Sequence, residues 1–309
     1  MPHAAAAQLH TAPSPGKPVA LAEDLRLLLA PNGSPMTHWG TNTWILGKDA
    51  VTVIDPGPAD PRHIAALLAA LAPAEAVAQI LVTHAHLDHS PGARLLAAAT
   101  GAPVLAMGDA RAGRSERMKM LASQEIGGGE GVDSDFVPDR RLQHEETLEV
   151  AGRPLRALHT PGHFGNHMCF LWGEALFSGD HVMGWAPSLV SPPDGDLTDF
   201  MQSLRNLRNY GQVSLFPGHG APVANGQTRI SELYAHRKSR ESAIRAAIAA
   251  GADSVKAIAQ RVYVDIDPLL LPAAERNVLA HLIDLEARGL AAVEGALGLK
   301  ARISLIPAA

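Results

Sequence analysis

Residues 83–89 read Thr83-His84-Ala85-His86-Leu87-Asp88-His89, directly after Gln79–Val82, a short apolar run expected to form a buried strand. Ser90–Thr100 reads as a helix, so the string sits where a strand stops and a helix begins. In extended backbone, residues two apart face the same way, which lets His84 and His86 grip one metal together. Asp88 and His89 open the following turn and point elsewhere, which suits a second metal. Zinc takes imidazole nitrogens and carboxylate oxygens at about 2.0–2.2 Å. Four such groups within six residues are dense for chance.

Three later segments each carry one potential ligand beside Gly or Pro: Thr160-Pro161-Gly162-His163, Ser178-Gly179-Asp180-His181 and Phe216-Pro217-Gly218-His219. Small and rigid neighbours let the backbone turn sharply and aim a side chain inward. The combined set of five His and two Asp is enough for two metals with an aspartate between them.

Around these segments short β-rich runs alternate with helical ones. Thr43–Leu46 and Ala50–Ile54 read as strands, the second ending in the turn Asp55-Pro56-Gly57. Pro103–Ala106, Glu149–Leu158, Cys169–Trp172, Ala175–Phe177 and Val213–Phe216 are further strands; Pro61–Leu71 and Thr198–Asn209 are helices. Residues 107–140 are the least regular, and 107–129 read as either a basic-apolar lid or a solvated helix. After Ala224 the texture changes to three helices, Thr228–Ala250, Ser254–Arg261 and Pro272–Gly289, and then a weakly alternating Leu290–Leu305 around Gly298. Three helices and a hairpin are the plan of a winged helix. The expected division is a mobile extension at 1–18, a catalytic unit at 19–225 and a winged-helix-like unit at 226–309.

Composition narrows the classes. Of 309 residues, 47% are hydrophobic and 18% charged, which fits a globular enzyme and not a disordered chain. No apolar run reaches the roughly 18 residues of a spanning helix, and no basic-then-apolar leader is visible, so the cytoplasm is the expected compartment. Aromatics at 4% argue against base-stacking platforms. The single cysteine, Cys169, excludes a disulfide framework and reads as a small core residue. A net charge of −5 tilts away from a surface that tracks phosphates.

The ordered set of HxHxDH, PGH, GDH and PGH resembles the metallo-β-lactamase-fold hydrolases across roughly residues 20–225. The resemblance implies an α+β fold: an αββα sandwich of mixed sheets with helices outside and metals at one edge, carrying a C-terminal winged-helix domain. By position, His84, His86 and His163 would hold the first zinc, Asp88, His89 and His219 the second, and Asp180 would bridge them. Asp55, in Val-Ile-Asp-Pro-Gly, would support the ligands without being one. Gly40-Thr41-Asn42-Thr43, Thr160 to His167, Ser178 to Met183 and Ser191 to Asp196 are similar to the beta-lactamase-like protein 2 branch, which carries a winged-helix domain. Phe164-Gly165-Asn166 departs from that branch, which usually has a short polar stretch there.

The implied activity is a dinuclear zinc-dependent hydrolase in which the metal pair acidifies water toward neutrality. Asp88 is then the nearest proton acceptor. Iron or manganese would suit the same ligands. A small ester or thioester is the expected substrate. The alternatives are single-stranded RNA, cleaved by animal members of the branch, and a di-iron redox protein on the same scaffold. The expected partner is thus a small molecule, with RNA second, no membrane, and a homodimer compatible. His167 and His181 are read as supports or substrate contacts. His38, His63, His144, His159, His236 and His281 are surface or packing residues, and Asp194 and Asp196 are turn residues or substrate contacts. The C-terminal unit is expected to wall the pocket or form a dimer contact more than to read nucleic acid.

Overall fold

The computed structural model describes residues 9–124 and 126–306. Seven strands form the first sheet, in chain order: β1 Val19–Ala22, β2 Leu25–Leu29, β3 Asn42–Leu46, β4 Ala50–Ile54, β5 Ala76–Leu81, β6 Val104–Ala106 and β7 Arg140–Arg141. The first four pair antiparallel and the last four parallel. A second sheet contains β8 Glu146–Val150, β9 Arg153–His159, β10 Met168–Trp172, β11 Ala175–Gly179 and β12 Ser214–Pro217, with β11 and β12 parallel.

Parallel neighbours need crossovers, and helices supply them. Helix α1 (Pro61–Ala69) joins β4 to β5, and α2 (Pro91–Thr100) joins β5 to β6. The short α3 (Glu116–Ser123) lies before β7, and α4 (Leu197–Leu207) connects β11 to β12.

Both sheets are buried on both faces, so alternate residues of one strand serve different cores. Trp44, Leu46, Ile54 and Leu81 point between the sheets onto Phe170, Trp172, Phe177 and Phe216. Their neighbours Ile45, Val53 and Ile80 point outward under Ile64, Leu67 and Leu96 of α1 and α2. On the other side Cys169, Leu171, Leu176 and Leu215 lie under Phe200 and Leu204 of α4. This is the αββα sandwich.

Beyond it, α5 (Gly226–Ala249), α6 (Val255–Val262) and α7 (Leu271–Ala287) precede an antiparallel hairpin of β13 (Ala291–Glu294) and β14 (Arg302–Leu305), a winged helix. Ser254 caps α6 by accepting from the Ala257 N–H. Among the described residues no helix is long and apolar enough to cross a membrane.

Three expectations change. The strand expected at Glu149–Leu158 is a hairpin, β8 turning into β9 at Ala151 and Gly152, which have φ of +50° and +69°. A two-residue turn with positive φ at both positions is ordinarily marked by Asn or Gly, and Ala151 gives no such signal. Residues 107–129 contain a helix, α3, that is solvated on one side only. Met118, Leu121 and Ile126 are buried in the core of the C-terminal unit, against Ile244, Ile248 and Leu279 among others. Met118 and Leu121 of α3, three apart, are the anchor, and Arg117 pairs with Glu286 of α7, while Glu116 and Lys119 face solvent. Of the expected mobile extension, residues 1–8 lie outside the described residues. The rest is docked: Leu9 packs on the inter-sheet core and the Gly16 N–H donates to the Leu29 carbonyl at 3.1 Å.

β4, β5, β9, β11 and β12 all point their C-terminal ends to one edge of the sandwich. Asp55, His84–His89, His163, Asp180 and His219 follow those ends. Segments more than 130 residues apart in the chain, such as His84 and His219, therefore meet.

Candidate metal centre

Three groups of ligand atoms converge at that edge: His84, His86 and His163; Asp88, His89 and His219; and His84, His89 and Asp180. Within each group the atoms lie within 4.8 Å of one another. His86 Nδ1 stands 2.9 Å from His84 Nε2 and 3.2 Å from His163 Nε2. His89 Nε2 stands 3.3 Å from His219 Nε2, and Asp88 Oδ2 is 3.4 and 3.2 Å from these two nitrogens. Asp180 lies between the groups, with Oδ2 3.3 Å from His219 Nε2 and 3.8 Å from His163 Nε2, and Oδ1 3.5 Å from His89 Nε2. All seven candidate ligands from the sequence are thus brought together.

The outward atoms of the rings decide which nitrogen faces in. Thr83 Oγ1 donates to Asp55 Oδ2 at 2.7 Å, so toward His84 Nδ1, 2.9 Å away, it can only accept. His163 Nδ1 faces the Leu189 carbonyl at 2.7 Å and His219 Nδ1 the Gly40 carbonyl at 3.0 Å. His89 Nδ1 faces Asp55 Oδ2 at 2.9 Å. Carbonyls and carboxylates only accept, so in all four rings Nδ1 carries the proton and Nε2 turns inward.

Burial and charge sharpen the reading. Burial, reinforced by neighbouring imidazoles, pushes His84 well below the ordinary histidine value and His86 down to about 3. Burial pulls His89 and His219 the same way, yet the carboxylates outweigh it. Asp88, Asp180 and Asp55 raise His89 well above 6.5, and Asp180 and Asp88 raise His219 to about 9. Burial opposes ionisation of Asp88 and Asp180, but the same imidazoles hold both well below the usual carboxylate range. Positive charge is what this pocket attracts.

The donor set fits metal ions on two further observations. Asp180 Oδ1 is buried and has no hydrogen-bond partner. Gly218 clears the space beside it: a Cβ there would strike Asp180 Oδ1 and stand 2.6 Å from His89 Cε1.

Supporting residues hold this edge rigid. Asp55 accepts from both the Thr83 N–H and hydroxyl, each at 2.7 Å, besides His89. The Gly-Thr-Asn-Thr motif is a clamp. Asn42 donates from its amide to the carbonyls of Pro217 (2.9 Å) and Gly220 (2.8 Å), and its N–H donates to the Gly218 carbonyl (2.7 Å). The Thr41 hydroxyl reaches Asp88 Oδ2 at 3.3 Å. In the departing stretch, Phe164 is buried edge-on against His86, and Asn166 Oδ1 accepts from the Ala85 N–H at 3.2 Å.

His167 and His181 are fully buried behind the cluster and do not line the cavity. His167 Nδ1 is 2.9 Å from Thr160 Oγ1, its ring centre lies 5.2 Å from that of His84, and His181 packs on Phe200. Asp196 caps α4 and accepts from Ser115, while Asp194 pairs with Arg114 and accepts from the Gly129 N–H at 2.7 Å. Neither contacts the cavity. His236, read as a surface or packing residue, does line it.

A cavity of about 630 Å³ opens on the cluster at His86, Asp88, His163, Asp180 and His219. Its other walls carry Met36, Met183, Trp185 and Leu189, and, from the C-terminal unit, Arg237, Arg240, Tyr263, Ile266, Leu270 and Asn277. Nothing local in the sequence singles out the last set. Arg237 and Arg240 belong to α5, where basic residues outnumber acidic ones, but nothing in that run marks which of them meet the cavity.

The C-terminal unit also reaches a ligand. Asn277 Oδ1 accepts from the Val190 N–H at 3.2 Å and from Arg237 Nη1 at 3.1 Å, and Arg237 also donates to the Ser188 carbonyl. Leu189, between these anchors, is the acceptor for His163.

Comparison with known proteins agrees with this layout. The profile of the family described as Metallo-beta-lactamase superfamily matches residues 36–219, and that of the Beta-lactamase associated winged helix domain matches residues 254–299. A beta-lactamase-like protein 2 homolog of Drosophila melanogaster is 32% identical, over 85% of this chain and 87% of that protein. An atrochrysone carboxyl ACP thioesterase of Aspergillus fumigatus is 31% identical over 72% of this chain, and the match spans 64% of its own length. A metallo-beta-lactamase family protein from Thermus thermophilus superposes with a TM-score of 0.75 at 25% identity, covering 93% of this chain and 100% of that one. A beta-lactamase domain protein from Burkholderia ambifaria gives 0.77 at 22% identity, over 96% of each chain.

Proposed function

The chain belongs to the metallo-β-lactamase superfamily as a metal-dependent hydrolase, and from that premise we propose that it cleaves a small thioester or ester at a pair of zinc ions. The single observation that carries the metal pair is the inward turn of four Nε2 atoms, each fixed by an outward acceptor, onto the buried Asp180 and the half-buried Asp88.

His84, His86 and His163 would hold one ion, Asp88, His89 and His219 the other, with Asp180 between them. Bound there, zinc would supply a Lewis acid and lower the pKa of water to about 7. Everything else is the work of the chain. Among the described residues, the hydrogen bond and ion pairs of Asp88 run through Oδ2, and the side chain borders the cavity at 27% exposure. Asp88 is therefore the group that accepts the proton of the attacking water. The water oxygen forms the new C–O bond, the C–S bond breaks, and the proton passes to the departing thiolate. Apolar walls at Met36, Met183, Trp185 and Leu189 take the acyl body and exclude bulk water.

The thioester reading draws on the thioesterase among the relatives and on a cavity volume in the small-molecule range. The net charge of −5 weighs against RNA. The test is a panel of thioesters, esters, lactones and single-stranded RNA, assayed on zinc-loaded protein with and without chelator. Chelator-sensitive thioester turnover supports the reading. Turnover of RNA alone would replace it. Metal analysis of protein purified without added metal separates zinc from a di-iron redox centre.

A further inference from the structure

The cavity is electrically lopsided. Its metal end carries Asp88 and Asp180, with Glu130 nearby on the rim. The wall built by α5 carries Arg237 and Arg240, with His236 beside them. Neither arginine has a carboxylate within 4.0 Å among the described residues. Their hydrogen bonds go to neutral acceptors: Arg237 to Asn277 and the Ser188 carbonyl, Arg240 Nη1 to the Val262 carbonyl at 2.9 Å. The Nε atoms of both are buried without a partner.

That arrangement is costly without a ligand. Arg237 is 2% exposed, and a buried guanidinium ordinarily keeps a counterion. Less buried arginines do pair, Arg26 with Glu75, Arg114 with Asp194, and Arg288 with Asp284 and Glu241. Arg276, the other buried arginine among the described residues, donates only to Ser191 Oγ and the Ile126 carbonyl, and it does not line the cavity. Burial of Arg237, with Arg240 as a like charge beside it, lowers its pKa to about 10, so it stays charged at neutral pH. Arg240 lies over the Tyr263 ring, 4.5 Å from its centroid, so an oxyanion would be taken by the in-plane N–H groups that the bond to Val262 leaves over. The walls between this pair and the cluster are apolar.

We propose that Arg240 and Arg237, beside Tyr263, form an anion subsite that binds a carboxylate or phosphate on the far part of the acyl substrate, whose scissile carbonyl lies at the His/Asp cluster. The substrate class is then an acyl thioester with a second, anionic end and an apolar middle. In its substrate part this rests on the hydrolase reading above; the subsite itself rests on the arginines.

The experiment uses zinc-loaded full-length protein and two measurements. The first compares thioesters of one thiol with α,ω-dicarboxylic acyl chains of increasing length, their neutral ω-amides, and ω-phosphate analogues. Wild type is expected to favour an anionic member over its amide by about tenfold to a hundredfold in kcat/KM, expressed in KM. Arg240→Gln should collapse that ratio toward one, and Arg240→Lys should keep part of it. The carboxylate and phosphate arms identify which oxyanion fits. The second measures binding of adipate, phosphate and neutral adipamide by calorimetry to wild type and Arg240→Gln. Anion binding lost in the variant supports the subsite, even if no thioester is turned over, in which case only the hydrolase reading falls. Equal anion binding by both proteins places the anion at the metals and overturns the subsite, as does equal turnover of acid and amide by wild type.

Discussion

Asp55 Oδ2 accepts the Nδ1 proton of His89 at 2.9 Å, and this bond aims His89 Nε2 at Asp88 and Asp180. Asp55 has no place in the metal groups, yet it fixes one ligand directly and another through Thr83. Asp55→Asn keeps the volume and removes an acceptor. Metal affinity is expected to fall about 10–100-fold, with far-UV circular dichroism retained. A competition titration against a chromophoric chelator checks it, and unchanged affinity would refute the supporting role.

Metal uptake should expel protons. In the metal-free protein the carboxylates hold His219 protonated up to about pH 9 and His89 protonated well above 6.5. A cation needs both Nε2 lone pairs, so loading at about pH 7.5 releases protons and affinity rises with pH. Above about pH 9 the His219 contribution disappears. Calorimetry in two buffers of different ionisation enthalpy reads the count; zero release near neutral pH would contradict this electrostatic picture.

Gly218 tests the cradle. Its backbone lies outside the positive-φ set, so alanine fits the main chain, and only the methyl intrudes, onto Asp180 and His89. Displacing either ligand by about 1 Å is expected to cost about 10²-fold in activity. Gly218→Ala should also lower bound metal while the thermal unfolding transition stays cooperative.

Away from the cluster, acid should unfold the protein through buried neutral imidazoles. Burial depresses His63 to about 4 and His281 to about 3, against about 6.5 for an unfolded histidine. The unfolded chain therefore binds more protons between those values, so stability is complete above about pH 6.5 and is lost as pH falls through the window. In His281→Leu the denaturation midpoint should fall less steeply between about pH 6.5 and 4 than in wild type. Parallel slopes would assign the acid lability elsewhere.

The sequence showed the ligands because metal chemistry restricts each position to a few residue types, and the flanking Gly and Pro mark sharp turns. It showed the sheets because both faces are buried and the runs are uniformly apolar. It did not show that Asn42 clamps the Pro217–Gly220 turn, since a long-range hydrogen bond leaves no local pattern. Ala151 hid a hairpin for the same reason that it is a rare turn residue. Met118 and Leu121 were indistinguishable from the apolar side of a surface helix until the winged helix was seen to cover them. Arg237 and Arg240 sit in a helix of mixed charge, and only packing shows which side meets the cavity.

The central claim is that His84, His86, His163, Asp88, His89, Asp180 and His219 hold paired metal ions. Metal content per chain, measured by mass spectrometry on zinc-saturated and desalted wild type and Asp180→Ala, tests it most directly. The expected result is about two equivalents in wild type and a clear loss in the variant, with thioesterase activity following the metal. Full occupancy in Asp180→Ala, or no metal retained by wild type, would contradict the account.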